Sequence, residues 1–233
     1  MNKILKRKIL FLILLLITQI TSFGQNDYKR AHLWEKEIAA FADADKKEFP
    51  KTGKVLFVGS SSIRGWRTLK QDFPDVYTIN RGFGGSHLED VNHYAPQIVL
   101  PYKPKLIVLY AGENDIAAGK SVETVFNDFK NFVSFVRKEL PKTRLIVISA
   151  KPSPSREEFA SKYKELNGLM KAETEKDKRT LYVDVWAPML DESGEPKKDI
   201  FLGDKLHMNA AGYKIWRETL LPHIKKGLKS SFR

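Results

Sequence analysis

Apolar runs of strand length recur between charged segments along the chain, and this alternation predicts the architecture. Each run is wholly or largely apolar, as is typical of parallel strands that are covered on both faces. The five runs are Lys54–Val58, Val76–Asn80, Leu106–Tyr110, Leu145–Ser149 and Leu181–Val185.

Helical patterns occupy other segments of the chain. Asp27–Glu48 and Val122–Leu140 carry apolar residues at helical spacing, and Ser155–Thr180 is a charged helical region. A last helix is expected at Ala210–Lys229, because Asn209 before it is a favourable N-cap. Strands that alternate with helices predict βαβ units, and therefore an α/β sandwich with a parallel sheet.

The first residues predict a signal peptide rather than part of the fold. Ile9–Ile17 is an unbroken apolar run behind four basic residues, and Ser22–Gly24 offers small residues at a cleavage site. The run is shorter than the roughly 20 residues of a spanning helix, which disfavours the alternative of a membrane anchor. We therefore expect residues 1–24 to be cleaved and residues 25–233 to form a single secreted or periplasmic domain.

Composition and charge exclude several classes of function. The chain has no cysteine, so disulfides and thiolate metal sites are excluded, and no His, Asp or Glu cluster has metal-ligand spacing. The formal charge of +12 is spread out, and mixed runs such as Lys171–Arg179 are typical of a solvated helix face. Nucleic-acid binding is therefore not expected, although a basic surface could favour acidic polysaccharide or anionic lipid.

Small and polar residues follow four of the predicted strands. The clusters are Gly59–Ser62, Arg81–Ser86, Gly112–Asp115 and, beyond a loop after the fifth strand, Asp204–His207. Ligands of an open parallel sheet bind at the carboxyl ends of its strands. The four clusters are therefore expected to converge on one edge of the sheet.

The clusters contain the groups that acyl transfer needs. A compact turn can bring Asp204 to the Nδ1–H of His207, which leaves Nε2 for a serine hydroxyl. The alternative for these two residues is a helix cap beside a surface histidine. A backbone N–H at one of the glycines after the second strand, Gly82, Gly84 or Gly85, together with the N–H of Ser61 and the amide of Asn114, could hold an oxyanion, whereas the plain alternative is a set of turns.

The segments that carry these clusters resemble the blocks of the SGNH hydrolases, also called GDSL esterases and lipases. The resemblance covers nearly all of the predicted mature chain, in the right order. Its blocks are VLFVGSSSIRGW (Val55–Trp66), NRGFGGSHLEDV (Asn80–Val91), LYAGENDIAAG (Leu109–Gly119) and FLGDKLHMNAAGY (Phe201–Tyr213).

The resemblance implies a flavodoxin-like, three-layer α/β/α sandwich around a central parallel sheet of about five strands. It implies Ser61 as nucleophile with Asp204 and His207 completing the triad, and no metal or organic cofactor. It also implies an oxyanion hole made by Ser61, Gly85 and Asn114. One position departs from the family pattern, because Ser60 stands where the family has an aspartate.

The function expected from these observations is that of a serine esterase for short-chain acyl esters, for example acetyl groups on carbohydrate. A small-molecule or carbohydrate ester is thus the expected partner, with no stable membrane span, and the sequence does not indicate the oligomeric state. One alternative is a lysophospholipase or lipid acyl esterase. The other is a non-catalytic carbohydrate-binding protein on the same fold, against which the complete set of site residues argues.

Overall fold

The computed structural model describes residues 30–229 and Phe232, and the described residues from Leu33 onward belong to one compact unit. The predicted signal peptide, residues 1–24, lies outside the described residues and stays a prediction. The strands are β1 Val55–Gly59, β2 Thr78–Gly82, β3 Leu106–Tyr110, β4 Arg144–Ile148 and β5 Thr180–Val183. The α-helices are α1 Glu35–Lys47, α2 Ser61–Arg64, α3 Leu69–Asp72, α4 Leu88–Ile98, α5 Glu113–Ala117, α6 Val122–Glu139, α7 Ala160–Thr174 and α8 Ala210–Lys229.

The strands form one parallel sheet in the order β2-β1-β3-β4-β5. The order reverses beside β1, so the loops after β1 and β3 leave the sheet in neighbouring positions at its carboxyl edge. In register, Gly59 at the end of β1 lies beside Gly82 of β2 and Tyr110 of β3. This arrangement confirms the predicted α/β sandwich with a five-stranded parallel sheet.

Alternate residues of each strand face opposite layers of helices. On one face, Phe57, Val108 and Ile146 pack in a core with Trp66 and with Trp216 of α8. On the other side, α1 packs on α4, α4 on α6, and α6 on α7. Both faces of the central strands are therefore covered, which explains why their sequences are almost continuously apolar.

β2 lies two residues later than predicted, at Thr78–Gly82 instead of Val76–Asn80. The prediction ended the strand at the polar Asn80. Inside the strand, the Asn80 amide donates to the Ile63 carbonyl at 2.7 Å, and its oxygen accepts the Gly82 N–H at 2.9 Å. The strand continues through Asn80 because the Ile63 carbonyl of α2 and the Gly82 N–H satisfy its side chain.

Arg81 therefore lies within β2 and not in the loop after it. Its guanidinium is buried against the Asp45 carboxylate of α1 at 2.5 Å, which fixes this helix on the edge strand. The helix begins at Glu35, after one 3₁₀ turn at Ala31–Leu33, whereas Asp27–Glu48 was predicted. Residues 27–29 of that prediction lie outside the described part of the chain.

The predicted helical region Ser155–Thr180 is divided into three parts. A 3₁₀ segment at Pro154–Phe159 precedes α7, which ends at Thr174, and Thr180 already begins β5. Arg156 has a non-helical φ of −132°, so the loop after β4 turns before the regular helix starts. The helices predicted at the other two positions are confirmed to within one residue, and Asn209 caps α8 by accepting two of its first N–H groups.

Candidate active site

The turn after β1 is possible only with glycine at its first position. Gly59 has a φ of +135°, and a Cβ there would lie 1.9 Å from the Tyr110 carbonyl oxygen of β3. Ser60 follows in extended conformation, and its N–H donates to the same carbonyl at 2.9 Å. Ser61 is thereby placed as the first residue of α2, at the carboxyl edge of the sheet.

A second turn, just before α8, carries the acid and the imidazole. The His207 carbonyl accepts the Leu202 N–H at 2.8 Å, which closes the turn, and Lys205 inside it has a φ of +57°. Because the chain reverses so tightly, the Asp204 carboxylate also accepts the backbone N–H of Leu206 and His207, each at 2.9 Å. The acid and the imidazole are thus held together by backbone geometry.

Ser61, His207 and Asp204 form a continuous hydrogen-bonded path. The Ser61 hydroxyl lies 3.0 Å from His207 Nε2, and Asp204 Oδ2 lies 2.6 Å from His207 Nδ1. The hydrogen bond from His207 is the main reason why the pKa of Asp204 is lowered to about 2. A carboxylate that stays ionised selects the tautomer with its proton on Nδ1, which leaves Nε2 able to accept a proton.

The loop after β2, called the glycine loop because it contains Gly84 and Gly85, starts beside the path from Ser61 to Asp204. The Phe83 N–H donates to the Gly59 carbonyl at 3.0 Å, so the loop leaves the sheet next to the β1 turn. Gly85 has a φ of +70° and is exposed. Within the described residues, no hydrogen bond uses the N–H of Gly85 or that of Ser61. Both groups are therefore available to an oxygen atom in the site.

Asn114 lies in α5, the short helix after β3, and connects this helix to the glycine loop. Its amide Nδ2 donates to the carbonyl of Ser86 at 3.1 Å, and an amide has a second N–H that this contact leaves unused. The neighbouring Asp115 is buried and accepts the Leu88 N–H at the start of α4. Asp115 thus ties the start of α5 to the start of α4.

Two residues near the site, Lys151 and Arg156, were missed in the sequence. Both belong to the loop after β4, the one strand of the sheet for which no polar cluster was considered. Lys151 is 1% exposed and donates to the buried Glu113 carboxylate at 3.0 Å, and Arg156 donates to Asn114 Oδ1 at 3.0 Å. The rule that located the other clusters, a polar segment at the carboxyl end of a strand, also applies to this one.

Neither a metal site nor a membrane helix is found in the described ranges. Among residues 30–229 and Phe232, no three His, Asp or Glu side chains are grouped so that they could hold a metal ion. In the same residues no helix combines the length and the apolar character needed to cross a bilayer.

Residues 53–215, more than two thirds of the chain, match the family model described as the GDSL-like lipase/acylhydrolase family. The chain belongs to this family. The matched segment begins just before β1 and ends in α8, so it contains all four polar clusters. The protein is accordingly a carboxylic ester hydrolase of the GDSL type. No curated protein matches the chain.

Solved structures of several other proteins are similar to this GDSL hydrolase over most of its length. A candidate acylhydrolase from Bacteroides fragilis is 23% identical, with a TM-score of 0.72 over 88% of this chain and 100% of its own. A GDSL-like lipase from Bacteroides thetaiotaomicron is 24% identical, with a TM-score of 0.65 over 85% and 97%. The acetylxylan esterase Axe2 from Geobacillus stearothermophilus is 15% identical, with a TM-score of 0.61 over 77% and 98%. At these identities the likeness establishes the fold alone.

Proposed function

We propose that this GDSL hydrolase cleaves short-chain acyl esters, above all acetyl esters of carbohydrate, with Ser61 as nucleophile and His207 as general base. The observation that carries the proposal is the hydrogen-bonded path of 3.0 Å and 2.6 Å from the Ser61 hydroxyl through His207 to Asp204. An imidazole in this position takes the serine proton on Nε2, and the Asp204 carboxylate stabilises the imidazolium that forms.

The reaction has two halves that use the same groups. Ser61 Oγ attacks the acyl carbon as its proton passes to His207, and His207 then protonates the leaving alcohol. Water next attacks the acyl-enzyme, His207 takes a proton from it, and the carboxylic acid leaves as Ser61 regains its hydroxyl. In both halves the N–H groups of Ser61 and Gly85 and the amide of Asn114 hold the oxyanion.

Labelling with a fluorophosphonate probe tests the nucleophile. We expect one adduct per chain, located by peptide mapping on Ser61 and abolished in Ser61→Ala. Ser62→Ala is the matched control and should still be labelled, because the ring of His207 bonds to the hydroxyl of Ser61 and not to that of Ser62. An adduct on another serine, or labelling of the Ser61→Ala variant, would contradict the assignment.

A crevice beside the site supports a sugar as the leaving alcohol. It has a volume of about 130 Å³, and its lining includes Trp186, Lys164 and Ser153. The Lys164 ammonium lies 5.6 Å from the Trp186 ring centroid, and the buried Ser153 hydroxyl has no hydrogen-bond partner among the described residues. Arg156 lines the same crevice and donates to Asn114 Oδ1, so this one side chain links the crevice to a residue of the proposed oxyanion hole. An aromatic ring with several polar groups around it suits a pyranose.

Relative rates on two acetyl esters test this substrate. Acetylated xylooligosaccharide is chosen because a structural relative is named as an acetylxylan esterase. We expect Trp186→Ala to lower kcat/KM for this ester about tenfold more than that for p-nitrophenyl acetate. Phe49→Ala, which removes a half-exposed aromatic ring, is the control, because Phe49 stacks on Tyr102 before β3, at the opposite edge of the sheet. An unchanged ratio in Trp186→Ala, or faster cleavage of long-chain esters than of acetyl esters, would contradict a carbohydrate ester and favour a lipid.

We also propose that the enzyme is exported, with residues 1–24 as its cleaved signal. The basic residues, the apolar run and the small residues at the cleavage site support this. Amino-terminal sequencing of the protein from culture medium or periplasm should begin at Gln25. Recovery of the uncleaved chain from the cytoplasm would contradict the proposal.

A further inference from the structure

Arg156 contacts the Asn114 side chain on the side away from the glycine loop. Its Nη2 donates to Asn114 Oδ1 at 3.0 Å, while Asn114 Nδ2 donates to the Ser86 carbonyl at 3.1 Å. The Arg156 side chain is only 17% exposed, and its Nη1 lies 3.3 Å from the Glu113 carboxylate. The guanidinium thus joins two consecutive residues at the start of α5.

A buried group of side chains holds this guanidinium in place. The Glu113 carboxylate, 5% exposed, accepts the Lys151 ammonium at 3.0 Å and the Tyr110 hydroxyl. Burial raises the pKa of Glu113, but Lys151 and Arg156 outweigh it and hold that pKa below its usual value. The Tyr163 hydroxyl in turn donates to the Glu113 carbonyl at 3.1 Å. Arg156 therefore faces a fixed, ionised Glu113 carboxylate, and this contact restricts the movement of its guanidinium.

The chemistry of arginine decides which way the Asn114 amide points. A guanidinium has donors only, so the amide atom that faces Arg156 must be the acceptor Oδ1. Nδ2 then lies on the other side, where one N–H bonds to Ser86 and the second remains for a ligand. Without Arg156, only the hydrogen bond to the Ser86 carbonyl would hold this orientation, and a rotated amide would present its oxygen to a developing oxyanion, which would be repulsive.

We propose that Arg156 is a positioning residue that fixes the Asn114 amide with its N–H directed to the oxyanion. The inference rests on the proposed function, in which Asn114 is an oxyanion donor. Arg156 itself touches no reacting atom, so its whole effect on the chemical step passes through Asn114. This makes the effect conditional on that one side chain.

A double-mutant cycle of Arg156 and Asn114, assayed with p-nitrophenyl acetate, tests whether the effect of Arg156 depends on Asn114. Arg156→Met removes the donors and keeps the length of the side chain, and we expect kcat to fall about 10- to 100-fold with KM changed less than about threefold. Asn114→Ala should lower kcat by about 10²–10³. In the Asn114→Ala background, Arg156→Met should change kcat less than about threefold. Arg156→Lys, which keeps a donor, should recover part of the loss.

A structural arginine supplies the matched control. Arg137 of α6 is 20% exposed and bonds to Asp177, to the Thr143 carbonyl and to Thr180, at the amino ends of β4 and β5. Arg137→Met should lower Tm and leave kcat of the folded protein near wild type. Tm and circular dichroism of all variants verify that each one is folded at the assay temperature.

The outcomes separate the two proposals. If Asn114→Ala loses activity and Arg156→Met lowers kcat by the same factor in the wild type and in Asn114→Ala, the positioning role is wrong while the proposed function stands. If Asn114→Ala keeps the wild-type kcat, the oxyanion role and the positioning role are both overturned. A loss for Arg156→Met that vanishes in the Asn114→Ala background supports the positioning role.

Discussion

His207 Nε2 lies 3.0 Å from the Ser61 hydroxyl, although 146 residues separate the two along the chain. The packing of α8 explains how they meet. Tyr213 of α8 donates its hydroxyl to the Ser62 carbonyl at 3.0 Å, and its ring stacks on Trp66 at 5.1 Å between centroids. The helix that follows the histidine turn is thereby fixed directly to the turn that carries Ser61.

This pairing leads to a prediction for Asp204. In Asp204→Asn the amide no longer provides a carboxylate for the imidazole, so the tautomer is lost and the imidazolium is not stabilised. We expect kcat for p-nitrophenyl acetate to fall by about 10³–10⁴, with little change in Tm. Asp199→Asn, an exposed aspartate shortly before the same turn, is the control and should be fully active. A fully active Asp204→Asn would show that His207 needs no carboxylate.

The low pKa of Asp204 excludes its titration as the cause of a loss of activity above about pH 4. Its folded pKa of about 2 lies below the usual value of 3.8, so the hydrogen bonds of its carboxylate are present above about pH 4 and are lost as the pH falls through 2. A loss of activity between pH 5 and 8 must therefore come from another group. The profile of kcat/KM against pH should show no inflection assignable to Asp204 above pH 4.

The turn at Gly59 predicts a large cost for the smallest side chain. In Gly59→Ala the new methyl group meets the Tyr110 carbonyl, and φ stays in the region that favours glycine, so β1 and β3 must separate. We expect a loss of at least about 3 kcal/mol in the free energy of unfolding, measured in urea, together with the loss of activity. Gly168→Ala is the matched control, because that glycine lies within α7 with open space around its Cα. This second change should stabilise the protein by about 0.5–1 kcal/mol.

The buried pair of Arg81 and Asp45 predicts how firmly α1 is held. Asp45→Ala leaves a guanidinium buried without its carboxylate, and we expect a loss of about 2–4 kcal/mol in the free energy of unfolding. Asp43→Ala removes an exposed partner of Lys46 on the same helix and should cost less than about 0.5 kcal/mol. Equal effects in urea denaturation would mean that the buried pair does not stabilise the helix.

Asp90 in α4 predicts a decline in stability towards neutral pH. Burial, aided by Asp115 and Asp128, raises its pKa from 3.8 to about 7, against the opposing effects of the His87 N–H and of Lys120. The folded state thus binds this proton more tightly than the unfolded state. The resulting stabilisation is complete below about pH 4 and is lost as the pH rises through 7.

Comparison of the wild type with Asp90→Asn isolates this contribution. The amide cannot ionise, so the free energy of unfolding of the variant lacks the decrease that ionisation of Asp90 causes in the wild type between pH 5 and 8. Relative to the wild type, we expect it to gain on the order of 1–3 kcal/mol in the free energy of unfolding over that interval. Urea denaturation at the two pH values measures the difference, and parallel curves for the two proteins would show that Asp90 stays ionised.

Local sequence was sufficient for most of the framework. The apolar runs located all five strands, because the central strands are covered on both faces and leave little room for polar side chains. Asn209 marked the start of α8, because an N-cap acts within three residues of chain. The sequence also identifies the candidate residues Ser61 and His207, since the family blocks that contain them are local patterns.

The tertiary structure decided where polar and charged residues belong. β2 continues through Asn80 and Arg81 because their partners, Ile63 and Asp45, come from α2 and α1. The link from Arg156 to Asn114 joins the loops after β4 and β3, and no pattern within either loop reveals it. The sequence alone determined which segments are strands and which groups could react, because these properties depend on neighbouring residues. Which distant partners satisfy each buried polar group was settled only when the sheet brought its loops to one edge.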